Sequence, residues 1–250
     1  MIVVSDIHKS FDDNHVLKGI STEFHKGKIN MIIGRSGSGK TVFLKSMLGL
    51  HTVDQGNILF DDRDITAMDY REKKELHKEM GMVFQGGALF DSMSIEENVM
   101  FPLNMFSSLS VAEKRERVNT VLARVNLENV NHLLPAEVSG GMQKRVAIAR
   151  AIVMSPKYLF CDEPNSGLDP NTAIVIDNLI QEITEEYDIT TIINTHDMNS
   201  VMEIGENINL IKEGLLVWRG NKDEILHTDN PDVDDFVFSS RLFKKIREKS

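Results

Sequence analysis

Only one cysteine stands in 250 residues. Cys161 therefore has no partner for an internal disulfide, which fits a chain working in a reducing compartment. Long apolar runs are also missing: no uninterrupted stretch exceeds four residues, against the roughly 20 that a membrane-spanning helix needs. Excess positive charge is absent, since 28 Lys and Arg face 38 Asp and Glu for a net charge of −10. That balance argues against a non-specific nucleic-acid binder, although a local basic patch would remain compatible with it. The histidines show no metal-ligand spacing, and no internal repeat or low-complexity tract occurs. The start, MIVVSDIHKSF, alternates like a strand and has neither a basic leader nor a cleavage site. The expectation is a cytosolic chain, or one held at a membrane through a partner.

What is present is globular composition, 41% hydrophobic and 26% charged, enough for one large domain or a core with an inserted subdomain. IVVSDIHKSF and VLKGISTEF read as strands, and KINMIIG (28–34) as a buried strand feeding a loop. TVFLKSMLG (41–49) reads as a helix closed by glycine, and GNILFDD and MGMVFQ as further strands around a charged helix, YREKKELHKEM. From about 91 to 156 the texture is helical. Val111, Val118, Val121, Leu122 and Val125 share one face of a helix opened by a Ser110–Glu113 capping box. YLFC (158–161), the helix TAIVIDNLIQEITEEY and ITTIIN (189–194) give strand–helix–strand texture, the mark of a parallel sheet covered on both faces. INLIKEGLLVWRG reads as a hairpin turning at Glu213–Gly214. Beyond residue 226 lies a tail whose Phe236, Phe238, Leu242, Phe243 and Ile246 form an apolar face, packed on its own domain or bridging to a twin subunit.

The chemistry gathers at strand ends. Gly34, Arg35, Ser36, Gly37, Ser38, Gly39, Lys40 and Thr41 fit G-x4-GK[ST] at every fixed position. The glycines allow the backbone to wrap phosphate oxygens and aim N–H groups inward. Lys40 is expected on the β- and γ-phosphates and the Thr41 hydroxyl on Mg²⁺, with Val42 in the first helical turn behind them. Asp162 and Glu163 follow the strand YLFC: the first is placed to hold the metal through water, the second to take a proton from attacking water. Cys161 reads as a small buried apolar residue. Taken alone, His196 is a packing residue and Gln85 a capping amide. In the company of a phosphate loop and an acidic pair, they become contacts to the γ-phosphate, water or metal. A second glycine pair, in EVSGGMQKR (137–145), opens a helix whose N-terminus could receive an anion.

The ordered set GRSGSGKT, MVFQ, VSGGMQKR, YLFCDEPNSGLD and NTHD resembles the Walker A loop, Q-loop, signature, Walker B with D-loop, and H-loop of the ATPase subunits of ABC transporters. The likeness spans residues ~1 to 225. It implies an α/β P-loop fold of ABC type: a mainly parallel core sheet (1–90 and 157–225) with an antiparallel β subdomain, an inserted helical subdomain (91–156) and the tail (226–250), as a single ATPase domain. It implies ATP and Mg²⁺ as ligands, Glu163, His196 and Gln85 in catalysis, and Thr41, Gln85 and Asp162 around the metal. Phe11 matches the aromatic position that stacks on adenine; as a lone Phe after a strand it would be a core residue. Ser166, Gly167, Leu168 and Asp169 match the D-loop. The resemblance also implies a head-to-tail dimer, in which Ser139, Gly140, Gly141, Met142 and Gln143 of one copy cover the nucleotide held by the other. It implies further an integral-membrane permease docked near residues ~85–105, no nucleic-acid partner, and a peripheral place on the cytoplasmic face of the inner membrane.

Narrower features, FQGGALFDSMSIEENVMFPL, the methionine of SGGM, EPNSGLDP and NPDVDDF, resemble the Mla/Mce-type lipid-transport ATPases. That likeness implies phospholipid transport and an Mce-type lipid-binding component in the same complex. Two positions depart from the wider pattern: Val138 stands for the usual Leu, and Asn165 for a frequent Thr.

Overall fold

A computed structural model describes residues 1–238. The tail residues Leu242, Phe243 and Ile246 lie outside the described residues. The chain opens with β1 (Ile2–Phe11) and β2 (Asn14–Phe24), an antiparallel hairpin. β3 (Ile29–Ile33) is buried at every position and feeds through a loop into α1 (Lys40–Met47). β4 (Gln55–Phe60), β5 (Arg63–Asp64), α2 (Tyr70–His77) and β6 (Met80–Val83) follow. The helical stretch comprises α3 (Ile95–Phe106), α4 (Val111–Arg124), a 3₁₀ turn (Pro135–Glu137) and α5 (Gly140–Ile152). Then come β7 (Tyr158–Asp162), α6 (Pro170–Tyr187), β8 (Thr190–Thr195), α7 (Met198–Ile204), β9 (Asn207–Lys212), β10 (Leu215–Gly220), α8 (Glu224–His227) and α9 (Pro231–Val237). No helix among the described residues is long and apolar enough to cross a membrane.

These elements form two compact units: Met1–Lys73 with the described residues from Thr190 onward, and Lys74–Ile189. The first unit holds an antiparallel sheet in the order β2-β1-β4-β5, and strands in the order β10-β9-β3-β8 in which β3 runs parallel to both β8 and β9. Asn30, Asn207 and Asn209, buried in β3 and β9, are hydrogen-bonded to neighbouring side chains and carbonyls. Asn207 Nδ2 donates to Asn30 Oδ1 at 2.9 Å and to the Glu23 carbonyl at 2.9 Å, while Thr22 Oγ1 donates to Asn209 Oδ1 at 2.5 Å. Left unmade, each such bond would cost about 1–3 kcal/mol, so the network fixes β2 against β3 and β9. The β9–β10 hairpin turns at Glu213 and Gly214, with φ of 50° and 82°, the left-handed pair that a type I′ turn requires.

The described part of the tail packs on this same unit. Asn230 caps α9, whose Val233 and Val237 are buried together with Phe238, while Phe236 is half-buried. Ion pairs Arg35–Asp235 (3.0 Å) and Lys212–Asp232 (2.6 Å) hold the helix down.

In the second unit β6 runs parallel to β7, and α5 lies against β6, α3 and α4. Capping boxes open α3 (Ser94–Glu97) and α4 (Ser110–Glu113). On α4 the expected apolar face holds for Val118, Val121, Leu122 and Val125, all buried. Val111 does not belong to it and is 68% exposed: it is the first helical residue, and its side chain precedes the turn that meets the core. Asp169 caps α6, with Pro170 at the first helical position, where its missing N–H costs nothing. Ile176, Leu179, Ile180 and Ile183 form the buried stripe of α6.

Candidate phosphate-binding and catalytic site

The loop between β3 and α1 is shaped by close backbone approach. Gly34 has φ 149°, and a Cβ there would sit 2.2 Å from the Ile211 carbonyl oxygen and 2.8 Å from Ser38 Oγ. Only glycine fits. Lys40 is buried, and its ammonium bridges the carbonyls of Gly34 (2.9 Å) and Arg35 (3.1 Å), drawing the loop into a ring around its own cation. Gly39 caps α1 without a side-chain acceptor, so the N–H groups of the first turn have no intrahelical partner and face outward with the positive end of the helix dipole. Ser38 Oγ is buried and has no hydrogen-bond partner among the described residues. Such a buried hydroxyl, uncapped amides and an ammonium together fit a polyphosphate.

Thr41 is exposed, and Asn194 at the end of β8 donates to its hydroxyl at 3.5 Å. Asn194 was not singled out from the sequence; the signal was a buried amide closing an otherwise apolar strand. His196 follows β8 on the surface of the same unit, where Asp197 caps α7. Phe11 is 40% exposed rather than a core residue. Its ring meets His51 edge-on at 5.2 Å, and the Lys9 ammonium lies 5.2 Å from its centroid. The His51 pKa is lowered, first by burial and then by Lys45 and Lys9, so the imidazole is held toward its neutral form beside the ring.

The second unit carries the acidic pair. β7 is buried through Cys161, whose thiol pKa is driven up by burial; this agrees with an inert packing residue. Asp162 and Glu163 emerge half-buried, and Glu163 has φ 49°. For a non-glycine residue this left-handed conformation costs on the order of 1 kcal/mol or more. Ser166 N–H donates back to the Glu163 carbonyl at 3.1 Å, and Asn165 Nδ2 donates to Asp177 Oδ1 of α6 at 2.7 Å. Asn165 thus anchors the turn to a buried carboxylate. Gly167 and Leu168 continue the turn into Asp169, whose pKa is lowered by hydrogen bonds from Thr172. Gln85 comes to the same turn: its Nε2 donates to Ser166 Oγ at 3.2 Å.

The glycine pair sits at the head of α5. Ser139 caps the helix by accepting from the Met142 N–H at 3.3 Å, which leaves its hydroxyl proton to donate elsewhere. Ser139 and Gly140 are exposed, Gly141 and Met142 half-buried, and Gln143 turns inward to the Pro135 carbonyl at 2.9 Å. A Cβ on Gly141 would lie 2.8 Å from Thr172 Cγ2, so a larger residue there would push the Thr172 side chain of α6 aside. Oxygen donors of the hard type that Mg²⁺ takes are present in each unit by itself, the Thr41 hydroxyl in the first and the Gln85 amide oxygen and Asp162 carboxylate in the second.

The chain matches the ABC transporter family over residues 17–166. It is 36% identical over 241 residues to a probable ribonucleotide transport ATP-binding protein of Mycobacterium tuberculosis, covering 96% of this chain and 67% of that protein. It is 42% identical over 214 residues to a methionine import ATP-binding protein of Clostridium tetani, covering 84% of this chain and 66% of the other. Among solved structures it is similar to the dimeric ATP-binding cassette MJ0796 in a post-hydrolysis state bound to ADP and Pi, with TM-score 0.80, 30% identity, and coverage of 89% of this chain and 99% of that one. It is also similar to cbiO1 from Clostridium perfringens, part of the ABC transporter complex cbiONQ, with TM-score 0.84, 32% identity, and coverage of 99% and 97%.

Proposed function

The chain belongs to the ABC transporter family of ATPases, and from that premise we propose that it works as a head-to-tail homodimer driving a separate membrane permease that moves phospholipid. The observation that carries the dimer is the head of α5, where Ser139 and Gly140 stand exposed on a helix N-terminus. Such an end favours an anion, and its own unit offers no glycine-rich lysine loop to hold one. A nucleotide held by the P-loop of a second copy supplies that anion.

In this reading Lys40 and the amides of α1 hold the β- and γ-phosphates, and Phe11 supports the adenine. Thr41, Gln85 and Asp162 would hold Mg²⁺, which would offset charge on the phosphate oxygens. Glu163 accepts a proton from the water that attacks the γ-phosphorus, ADP leaves with the bridging oxygen, and His196 donates to the γ-phosphate oxygens. Ser139 donates to the same oxygens from the other copy.

The permease surface is a groove of about 430 Å³ lined in part by Phe84, Phe90, Phe101, Pro102 and Phe106; Phe84 and Phe90 are each more than two-fifths exposed. The lipid reading rests on Met142 within the signature and on NPDVDDF in the tail. The relatives' names favour a second reading, import of methionine or transport of a ribonucleotide. Co-purification with the native permease, followed by ATPase assays in nanodiscs, separates the two. Stimulation by phospholipid or a lipid-loaded carrier supports the first, and stimulation by methionine or a ribonucleotide with its binding protein replaces it.

A further inference from the structure

The segment joining β6 to α3 has no regular structure, yet its carbonyls are gripped by two cations of α5. Lys144 is only 7% exposed and donates through Nζ to the Gln85 carbonyl. Arg150 is 9% exposed and donates to the carbonyls of Gly87 and Ala88, both at 2.7 Å. Neither forms an ion pair among the described residues. Burial without a carboxylate partner lowers the pKa of both, so each cation is stabilised mainly by the carbonyl dipoles it holds.

The gripped backbone is strained at Ala88. Gly87 and Ala88 lie at φ 73° and 47°, and the second is uncommon for a residue with a Cβ. Farther along, buried Asn98 donates to the carbonyls of Phe90, Met93 and Ser94 and accepts from the Phe90 N–H. The path to β6 is rigid too, because a Cβ on Gly81 would meet the Ala151 carbonyl of α5 at 2.4 Å. With its carbonyl fixed by Lys144, Gln85 directs its amide to Ser166 Oγ at 3.2 Å.

We propose that Lys144 is a positioning residue for the ATPase reaction: by holding the Gln85 carbonyl it sets the side chain of Gln85 against the turn that follows Glu163, and so links the head of α5 to the hydrolytic residues. Arg150 fixes the next two peptides and keeps that geometry from relaxing. A shift of α5 reaches Gln85 through these bonds. This rests on the role given to Gln85 above.

The test is a mutant cycle on the full chain with its permease, reading steady-state phosphate release. Lys144→Met keeps the length of the side chain and removes the donor. It is expected to lower kcat about tenfold, the low end for supporting-shell residues, while KM for ATP stays within about twofold. Lys144→Arg restores a donor and should recover most of the loss. Lys144→Met in a Gln85→Ala background should add nothing, since both changes break the same link. Should Lys144→Met fail to fold, Lys144→Gln, an uncharged donor, enters the same cycle, with a smaller loss and the same non-additivity. Wild-type turnover in the Lys144 variant, or losses that multiply in the double variant, would overturn the positioning role alone. Wild-type turnover in Gln85→Ala would overturn the role of Gln85 and the positioning role with it.

Discussion

Two helix N-termini in this chain are ready for phosphate, and they are built in opposite ways. The head of α1 is uncapped by any side chain, wrapped in a loop that only glycine can close at residue 34, and supplied with a buried ammonium and a buried hydroxyl that has no partner among the described residues. The head of α5 is capped by its own Ser139, is exposed, and offers its first-turn amides, its dipole and one hydroxyl. The first end is a cradle that can retain a ligand alone. The second can add to a ligand that something else retains. That difference separates binding from closure, and it predicts that substitutions at the two ends fail differently.

The largest effect is expected where both ends are left intact. Glu163→Gln should keep ATP bound and lose turnover by about 10²–10⁴-fold, roughly 3–5 kcal/mol. The unhydrolysed nucleotide should then hold two chains together, raising the mass seen by light scattering with ATP; near-normal hydrolysis would remove Glu163 from its role. Next comes the cradle. Lys40→Ala should weaken ATP binding in the isolated chain by at least about 100-fold, or roughly 3 kcal/mol for a lost charge-assisted contact, as read by calorimetry. Ser139→Ala should behave in the opposite way, with ATP affinity of the isolated chain unchanged and turnover down about tenfold, together with about 0.5–2 kcal/mol of lost capping. Ser110→Ala provides the smallest effect and the control: the same type of cap on α4, removed at about 1 kcal/mol in thermal stability, with turnover per folded chain untouched.

Much of this was legible in the sequence because it depends on local rules. The P-loop spacing, the capping box at Ser110, the turn at Glu213–Gly214 and the buried strand before Asp162 each follow from a few neighbouring residues. What escaped depends on distant partners. Val111 fits the apolar period of α4, but period alone does not say where along a helix the core begins. The left-handed backbone of Glu163 leaves no mark on residue type, since a carboxylate is expected there for its chemistry. The grip of Lys144 and Arg150 is invisible for a plainer reason: their partners are backbone carbonyls, which every residue possesses. Asn194 beside Thr41 and Asn165 on Asp177 bring together groups 153 and 12 residues apart, pairings that composition cannot announce.

The central claim is that the two helix ends meet around one nucleotide only when they come from different copies. Mixing two inactive variants tests it directly. Lys40→Ala destroys the cradle of one chain, and Ser139→Arg blocks the α5 head of another, so each homodimer should be nearly inert. A mixed dimer contains one site with an intact cradle facing an intact α5 head. The account predicts that the mixture regains turnover, up to about a quarter of wild type for random pairing. A mixture no more active than its components, with mixed dimers demonstrated by differential tagging, would contradict it.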